Sequence, residues 1–323
     1  MEKVSIIYLV LPCYNEELVI EDSAGKLKML MDELKAKGKV SEKSRVIFVD
    51  DGSTDSTWKL LKDVCYKFPL FGAIKLAHNR GHQNALLAGM MTVKNDCDAV
   101  ITLDADLQHD ISVIPKFVDL YEQGNEVVYG VRKSRNGESG FKRFTGDVFY
   151  GLMEMLGTKV IKNHADYRLL GSKALQALSK YEESNLFLRG IIPSIGFQST
   201  TLEYEEKPRL AGESKYSLRK MIQLAMAGIT SFSVRPLQLI TFCGGVFFLF
   251  SIVMLIYAIC VYAQNGSVPG WTSIVAPIWL LGGIQLLALG IVGEYIGKIY
   301  LETKHRPRYE IEAMIINQNG DKE

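Results

Sequence analysis

The sequence predicts an α/β fold with a mostly parallel central sheet, followed by two C-terminal transmembrane helices. Three observations support this prediction. Short apolar runs alternate with amphipathic stretches in the N-terminal half, polar clusters directly follow several of these runs, and two long apolar stretches near the C-terminus carry no charged residue. Strands that alternate with helices are typical of a parallel sheet. Apolar stretches of about 20 residues are long enough to cross a bilayer.

The individual elements follow from local patterns. Short apolar, β-branched runs predict strands, and apolar residues at helical spacing predict the helices between them. The first strand is expected to stop at Pro12, because proline interrupts strand pairing. The predicted strands are Val4–Leu11, Arg45–Val49, Ala73–Leu76, Ala99–Leu103 and Glu126–Val131, and the predicted helices are Leu18–Lys37, Ser56–Tyr66, one opening at His78–Gly81, one starting near Ile111, and Ser172–Leu178.

Composition divides the chain into four parts. The 323 residues carry a formal net charge of +1, yet residues 236–293 contain no charged residue and no histidine. We expect an α/β domain in residues 1–214, an amphipathic interfacial region in 215–235, two transmembrane helices in 236–299 and a tail in 300–323. The balanced charge argues against a nucleic-acid partner. The five cysteines form no Cys-x-x-Cys pair, so we expect reduced thiols.

The apolar segments also predict a topology. Leu237–Tyr262 and Thr272–Gly293 are the expected spans, and the loop between them, Ala263–Trp271, has no Lys or Arg, whereas both flanking segments are basic. The positive-inside rule then places both chain ends in the cytosol and the loop outside. Two buried helices of a soluble core are the alternative. Ser217–Phe232 is amphipathic, and it either lies at the bilayer surface or packs on the soluble domain.

The acidic cluster after the fourth predicted strand indicates a metal site. Asp104, Asp106 and Gln108 offer oxygen ligands, which suit Mg²⁺ or Mn²⁺ bound together with phosphate oxygens. The polar clusters after the other strands fall at the same sheet edge, where ligands of parallel sheets bind. This pattern predicts a nucleotide diphosphate. The alternative is a loop of solvated acids or helix caps, and we expect Asp110 to be such a cap.

Several motifs resemble one enzyme family. The chain is similar to family 2 inverting glycosyltransferases with a GT-A domain, and more narrowly to the polyprenyl-phosphate glycosyltransferases, which include bacterial undecaprenyl-phosphate glucosyltransferases and dolichol-phosphate mannose synthase. The resemblance covers nearly the whole chain. Its motifs are Pro12–Glu16, Val49–Thr57, Asp104–His109, Asp166–Leu169, Arg209–Tyr216, the two apolar spans and Gly293–Tyr300.

The resemblance implies a role for each motif. A divalent cation would offset the charge that grows on the leaving nucleotide. The basic residues would contact phosphates. The implied site residues are Pro12, Tyr14, Glu16, Asp50 and Asp51 for the base and ribose, Asp104, Asp106 and Gln108 for the metal and diphosphate, Arg132 and Arg168 for phosphate contacts, Asp166 for the catalytic base, and Arg209, Ser214 and Lys215 for the lipid phosphate.

The role of Asp166 has alternatives. A phosphate acceptor has a second pKa near 6 and is mostly dianionic at neutral pH, so little proton removal is needed. Asp166 would then orient the acceptor or the sugar, or form an ion pair that positions Arg168. A helix-start cap before Leu169 is the purely structural alternative.

The expected activity is the transfer of a hexose from a UDP-hexose, with glucose as the preferred sugar, to undecaprenyl phosphate at the cytosolic face of a bacterial cell membrane. UDP-galactose, UDP-N-acetylglucosamine, GDP-mannose or an amino-sugar donor are the alternatives, because one sequence does not resolve hydroxyl contacts. A processive polysaccharide synthase is disfavoured, since the chain lacks a Gln-x-x-Arg-Trp motif and has only two predicted spans. A non-catalytic membrane scaffold is the alternative from another class. The resemblance also implies a homo-oligomer.

Overall fold

The structure, a computed structural model, describes residues 4–133, 164–183, 187–205 and 271–316, together with isolated helical positions between 237 and 256. Eight strands and seven α-helices lie in these ranges, and a short 3₁₀ helix, Ile111–Val113, precedes the fourth α-helix. The strands are β1 (Ile7–Cys13), β2 (Arg45–Asp50), β3 (Phe71–Leu76), β4 (Ala99–Thr102), β5 (Val127–Arg132), β6 (His164–Gly171), β7 (Ser199–Tyr204) and β8 (Ile311–Ile316). The α-helices are α1 (Ile20–Ala36), α2 (Thr57–Lys67), α3 (His82–Val93), α4 (Ile114–Glu122), α5 (Ser172–Leu178), α6 (Leu188–Ile195) and α7 (Trp271–Thr303).

The eight strands form one mixed sheet in the order β7-β5-β6-β4-β1-β2-β3-β8. The neighbours β4, β1, β2 and β3 run parallel, and β5 and β7 are also parallel. Strand β6 is antiparallel to both β4 and β5, and β8 is antiparallel to β3. The predicted α/β fold with a mostly parallel sheet is therefore confirmed.

Helices cover both faces of the sheet. Leu9 and Leu11 of β1 belong to the core cluster that includes the apolar stripe of α1. Val10 points to the opposite face, since successive side chains of a strand alternate. There it meets α3 so closely that a Cβ on Gly89 would lie 2.5 Å from Val10 Cγ1. This two-sided packing fixes the strands and so fixes the loops at their carboxyl ends.

Strand β1 continues beyond the proline at which it was predicted to stop. The parallel register between β1 and β2 extends to the pair Cys13 and Asp50, whereas the register with β4 ends at Val10 and Thr102. Pro12 therefore lies where only one side of β1 is paired. A proline without an N–H group is tolerated at such a position.

Two predictions concerned helix starts near the site. Asp110 does cap a helix, because its carboxylate accepts a hydrogen bond from the backbone N–H of Ser112 at 3.1 Å. The interpretation of Asp166 as a helix-start cap is wrong. Asp166 lies inside β6, whose pairing with β4 and β5 holds this segment extended.

The C-terminal part contains one described helix that is long and apolar enough to cross a membrane. Helix α7 has 33 residues and includes the whole predicted second span. Within α7, the segment Ile284–Thr303 has a mean hydropathy of 1.4, and none of it is buried. Its length and composition are the two properties that qualify it as a membrane-spanning helix. Of the predicted first span, Leu237–Tyr262, the structure describes only scattered positions between 237 and 256, all of them helical, and the predicted interfacial helix falls wholly outside the described residues.

The tail was not predicted to join the sheet, yet it does. Strand β8 pairs with β3, and Lys75 Nζ lies 2.9 Å from a carboxylate oxygen of Glu312. The chain divides into two compact units, of which the first comprises residues 1–154, 159–216 and 307–323. The second comprises residues 155–158 and 217–306. Both segments that flank residues 217–306 thus belong to the same unit.

Candidate functional site

The loops after β1 and β2 hold each other at the carboxyl edge of the sheet. Asn15 adopts a left-handed conformation with φ 54°, and its side-chain oxygen accepts a hydrogen bond from the backbone N–H of Thr54 at 2.9 Å. The Asn15 N–H in turn donates to Ser53 Oγ at 2.9 Å. The Glu16 N–H donates to Thr57 Oγ1, also at 2.9 Å. These bonds join two of the sequence motifs into one surface.

The loop after β3 packs against the same surface. The Asp51 carboxylate accepts hydrogen bonds from the backbone N–H groups of Arg80 at 2.7 Å and Gly81 at 2.8 Å. Gly52 has φ +69°, and a Cβ there would lie 2.6 Å from the His78 carbonyl carbon. Only glycine allows the two loops to approach this closely. Asp51 is consequently engaged by backbone groups of the protein itself.

Asp50 is a buried acceptor. Its side chain is fully buried, and burial raises the pKa of this carboxyl group. One oxygen, Oδ1, accepts from the Ser53 N–H at 3.0 Å, while Oδ2 has no hydrogen-bond partner among the described residues. Buried polar atoms are normally satisfied. This unpaired carboxylate oxygen, on the last residue of β2 where it pairs with Cys13 of β1, suits a ligand that carries an N–H or O–H donor.

The acidic loop after β4 is tightly folded. Leu107 adopts φ 48°, a conformation that costs energy for a branched side chain. Its N–H bonds to the Asp104 carbonyl at 3.2 Å, and the Gln108 side-chain amide donates to Asp106. Strained backbone of this kind is concentrated at ligand sites. The turn brings the carboxylate of Asp106 and the amide of Gln108 into direct contact.

The chemistry of this loop fits a hard divalent cation that a substrate helps to bind. Among the residues that the structure describes, no three His, Cys, Asp or Glu side chains form a cluster able to hold a metal alone. Mg²⁺ is commonly bound by one or two carboxylates together with substrate phosphates. Asp104, Asp106 and Gln108 are spaced two residues apart along one loop. They offer two carboxylates and one amide oxygen, a set of ligands that substrate phosphates would have to complete.

A histidine that sequence reasoning missed connects this loop to β6. His82 Nε2 lies 2.9 Å from Asp104 Oδ1, and its Nδ1 lies 3.9 Å from Asp166 Oδ2. Burial by itself lowers the pKa of His82, but the hydrogen bond to Asp104 and the negative charges of Asp104 and Asp166 together outweigh burial and raise this pKa overall. Burial by itself raises the pKa of Asp104, but the hydrogen bond from His82 and the charges of His109 and His82 together outweigh burial and lower this pKa overall. The two side chains therefore stabilise each other as an ion pair.

A second histidine lies behind the acidic loop. His109 is buried and stacks on Tyr167 with ring centroids 5.1 Å apart. Its Nε2 is 3.7 Å from Asp104 Oδ2. Tyr204, at the end of β7, contacts both rings edge-on, at 5.4 Å and 5.2 Å. This aromatic cluster fixes the loop from beneath.

Asp166 is held by two arginines. Its carboxylate pairs with the Nη2 group of Arg168 and, at 3.0 Å, with that of Arg189. Burial favours a higher pKa for Asp166, but the two guanidinium groups outweigh it and hold this pKa well below its usual range. Arg168 is 1% exposed, and its Nη1 has no hydrogen-bond partner among the described residues. The ion pair between Asp166 and Arg168, one of the sequence-based alternatives, is thus present.

The predicted residues fall into three groups by position. The motifs of β1, β2 and β4 lie at one edge of the sheet, because these strands are parallel and the motifs are at their carboxyl ends. Strand β6 joins them at the same edge, because the antiparallel register that pairs Thr102 with Arg168 brings Asp166 beside Asp104. Arg132 is the last residue of β5 and is exposed. The predicted lipid-phosphate residues, Arg209, Ser214 and Lys215, lie outside the described residues.

His82 and Arg189 joined the site without being predicted. His82 is the first residue of α3 and directly follows the loop after β3, so the strand-end rule extended one residue beyond Gly81 would have found it. Arg189 lies in a stretch with no strand end and no recognisable motif. Its place depends on a contact between distant helices, in which the Leu188 N–H donates to Gln83 Oε1 at 3.0 Å.

Comparisons with known proteins identify the family of this chain. The model of the family described as "Glycosyl transferase family 2" matches residues 8–178. The chain is 47% identical over 313 residues to the uncharacterized glycosyltransferase YkoT of Bacillus subtilis. This alignment covers 97% of this chain and 93% of YkoT. It is 36% identical over 312 residues to the bactoprenol glucosyl transferase of Shigella phage SfX, covering 95% of this chain and 99% of the relative.

Proposed function

Because the chain belongs to glycosyl transferase family 2, we propose that it moves a hexose from a nucleotide donor to a polyprenyl phosphate. The favoured reaction takes glucose from UDP-glucose, with inversion at the sugar carbon. One observation carries the proposal: the interlocked loops after β1 to β3 and the acidic loop after β4 share one sheet edge with the arginines beside Asp166. The name of the phage relative, a bactoprenol glucosyl transferase, supports glucose and the lipid acceptor.

The nucleoside would bind at the loops after β1 and β2. Asp50 Oδ2 is a buried acceptor with no partner among the described residues. A uracil N–H or a ribose hydroxyl would satisfy it, since a buried carboxylate oxygen left unpaired costs free energy. Tyr14, which is 44% exposed, together with Pro12 and Glu16 would complete this part of the site. Asp51 would act indirectly, by holding the backbone of Arg80 and Gly81.

The diphosphate would bind at the acidic loop. Asp104, Asp106 and Gln108 would hold Mg²⁺ or Mn²⁺, which when bound supplies positive charge against the departing nucleotide diphosphate. His82 orients Asp104 through the bond between Nε2 and Oδ1. His109 supports the same carboxylate from the buried side. Rigid support of this kind keeps the acidic side chains in place before the substrate arrives.

Asp166 would position arginines and would not remove a proton. Both of its oxygens already accept from guanidinium groups, and its lowered pKa makes it a weak base. The acceptor phosphate is itself mostly dianionic at neutral pH and can attack the sugar directly. An acceptor of this class therefore fits a site in which Asp166, the base that the resemblance implied, is neutralised by arginines.

The membrane arrangement follows from the path of the chain. The segments on both sides of residues 217–306 belong to the same compact unit, so they lie on the same side of any membrane. If α7 crosses the bilayer, a second crossing between residues 217 and 306 is therefore needed. We propose that Leu237–Tyr262 provides the second crossing, since it is a long stretch without charge. The catalytic unit and both chain ends would then face the cytosol, and Arg209, Ser214 and Lys215 would reach the lipid phosphate.

The test is a donor panel assayed with one acceptor. Purified full-length protein is incubated with undecaprenyl phosphate, Mg²⁺ or Mn²⁺, and one sugar nucleotide at a time, and both released nucleotide and glycolipid are measured. We expect UDP and a glucosyl lipid from UDP-glucose. A glycolipid formed only from UDP-galactose, UDP-N-acetylglucosamine or GDP-mannose would correct the donor. Failure of every donor would contradict the proposal and favour a scaffold role.

A further inference from the structure

We propose that Arg189 binds the phosphate of the lipid acceptor, as a further substrate-binding residue of this site. The inference rests on the proposed function, because it takes the acceptor to be a phosphate monoester. No sequence motif pointed to Arg189. Its guanidinium reaches the carboxylate of Asp166 through Nη2 at 3.0 Å and Nε at 3.4 Å.

The backbone around Arg189 is held rigidly at the site. Leu188, Ile191 and Ile192 of α6 are all about 1% exposed, so the helix is anchored by its apolar face. The Leu188 N–H donates to the side chain of Gln83, the residue after His82. The starts of α3 and α6 are therefore tied together, and His82 and Arg189 project from adjacent anchored positions.

The charges around Asp166 attract an anion. One carboxylate is shared by two guanidinium groups, which leaves a net positive charge on the three side chains. Arg168 is buried, whereas the side chain of Arg189 is 35% exposed and can meet a ligand that arrives from solvent or from the membrane surface. Arginine binds phosphate with charge-assisted hydrogen bonds in a fixed fork geometry.

The order of contacts assigns that anion to the acceptor and not to the donor. The side chains touch in the sequence Asp104, His82, Asp166, Arg189. The donor diphosphate belongs at the Asp104 end, where the metal-binding carboxylates lie. In an inverting transfer the oxygen of the nucleophile approaches the sugar carbon from the side opposite the leaving group: the new C–O bond forms as the bond to the diphosphate oxygen breaks. The far end of the row, where Arg189 lies, is the position for that nucleophile.

Equilibrium binding tests this assignment without turnover. Full-length wild-type protein and the Arg189→Gln variant are titrated in the same detergent with farnesyl phosphate, with farnesol, and separately with UDP and Mg²⁺. We expect the variant to bind farnesyl phosphate roughly 10- to 100-fold more weakly, the loss that corresponds to one or two hydrogen bonds to a charged group. Binding of farnesol and of UDP should change by less than about 2-fold, within the spread of distant surface changes.

Two further variants sharpen the result. Arg189→Lys keeps the charge without the fork and should retain part of the affinity for farnesyl phosphate. Arg45→Gln is the matched control, because Arg45 begins β2 at the opposite end of the strand from Asp50. It should bind all three ligands like the wild type.

The outcomes separate this inference from the proposed function. Equal loss of UDP affinity in Arg189→Gln would place Arg189 at the donor and overturn the assignment. Unchanged farnesyl phosphate binding, or none in the wild type, would overturn it as well. If the wild type binds farnesyl phosphate through Arg189 but transfers no sugar to a lipid, the inference stands and the proposed function fails.

Discussion

Asp166 shows how one side chain can be identified from sequence while its role depends on its neighbours. The motif around it indicated a site residue, and both a base and an ion-pair partner were compatible with the sequence. The structure adds Arg189, which lies 23 positions further along the chain and shares the carboxylate with Arg168. A second guanidinium changes the chemistry, because it lowers the basicity of the carboxylate. No local pattern encodes that contact.

Replacement of Asp166 should therefore affect stability as well as activity. Asp166→Asn leaves Arg168 buried without its counter-ion, and we expect the free energy of unfolding at pH 7 to fall by about 3–5 kcal/mol. The pKa of Asp166 is lower in the folded than in the unfolded state, so its stabilising effect is present above the unfolded pKa, about 4, and is lost as the pH falls below it. Thermal melting of both proteins from pH 7 to pH 3 measures this. A difference independent of pH would contradict it.

Asp106 tests the acidic loop. Asp106→Asn removes a charge where the loop contacts Gln108, so we expect transfer to fall by roughly 100-fold or more, as when an electrostatic group aimed at developing charge is lost. The melting temperature should barely change, since Asp106 lies on a partly exposed loop. Asp110→Asn is the matched control, because Asp110 caps the following helix and asparagine caps equally well. Equal activity in the two variants would refute the metal assignment.

At the scale of elements, the loops depend on glycine at one close contact. Gly52→Ala would press a Cβ against the backbone of His78 and Asn79, whereas Gly38, with a similar φ of +65°, has nothing within 4 Å. Gly38→Ala should cost about 1–2 kcal/mol for its left-handed conformation alone. Gly52→Ala should cost more and should also weaken UDP binding. Calorimetry of melting and UDP titration check this, and identical effects of the two changes would contradict it.

Strand β8 provides a second test at this scale. Truncation after Arg306 removes β8 and leaves β3 as an unpaired sheet edge. We expect faster hydrogen exchange in Phe71–Leu76 and a greater tendency to aggregate, because open edges pair with other chains. Exchange measured by mass spectrometry on the full-length and truncated proteins decides the matter. Unchanged protection of β3 would mean that β8 contributes nothing to this edge.

Elements with a strong local signal were predicted well, and elements defined by distant pairing were not. Helix Ser172–Leu178 was placed at its exact bounds, and α1 within two residues. Strand β1 was cut short at Pro12, because the sequence does not show that β4 has already ended at that level. Strand β8 was missed entirely, since Ile311–Ile316 becomes a strand only by pairing with a partner more than 200 residues earlier in the chain.

At the scale of the whole molecule, the topology makes the last prediction. A cysteine placed at Ser267, in the loop between the two proposed spans, should react with a membrane-impermeant maleimide in intact spheroplasts. A cysteine at Glu310, beside β8, should react only after the membrane is permeabilised. These results follow if both chain ends face the cytosol. Labelling of Glu310→Cys in intact spheroplasts, or of neither position before permeabilisation, would exclude the two-span arrangement.

The pairing of β8 with β3 also sets an order of events during synthesis. Lys75 and Glu312 are 237 residues apart, and ribosomes add about 5–20 residues per second. The edge of β3 therefore stays open for roughly 10–50 s after it is made, while every apolar segment between the two strands leaves the ribosome first. If residues 237–262 and 272–293 span a membrane as proposed, the sheet of the catalytic unit receives its last strand only after both spans have been synthesised, so its completion follows the stage at which the spans can enter the bilayer.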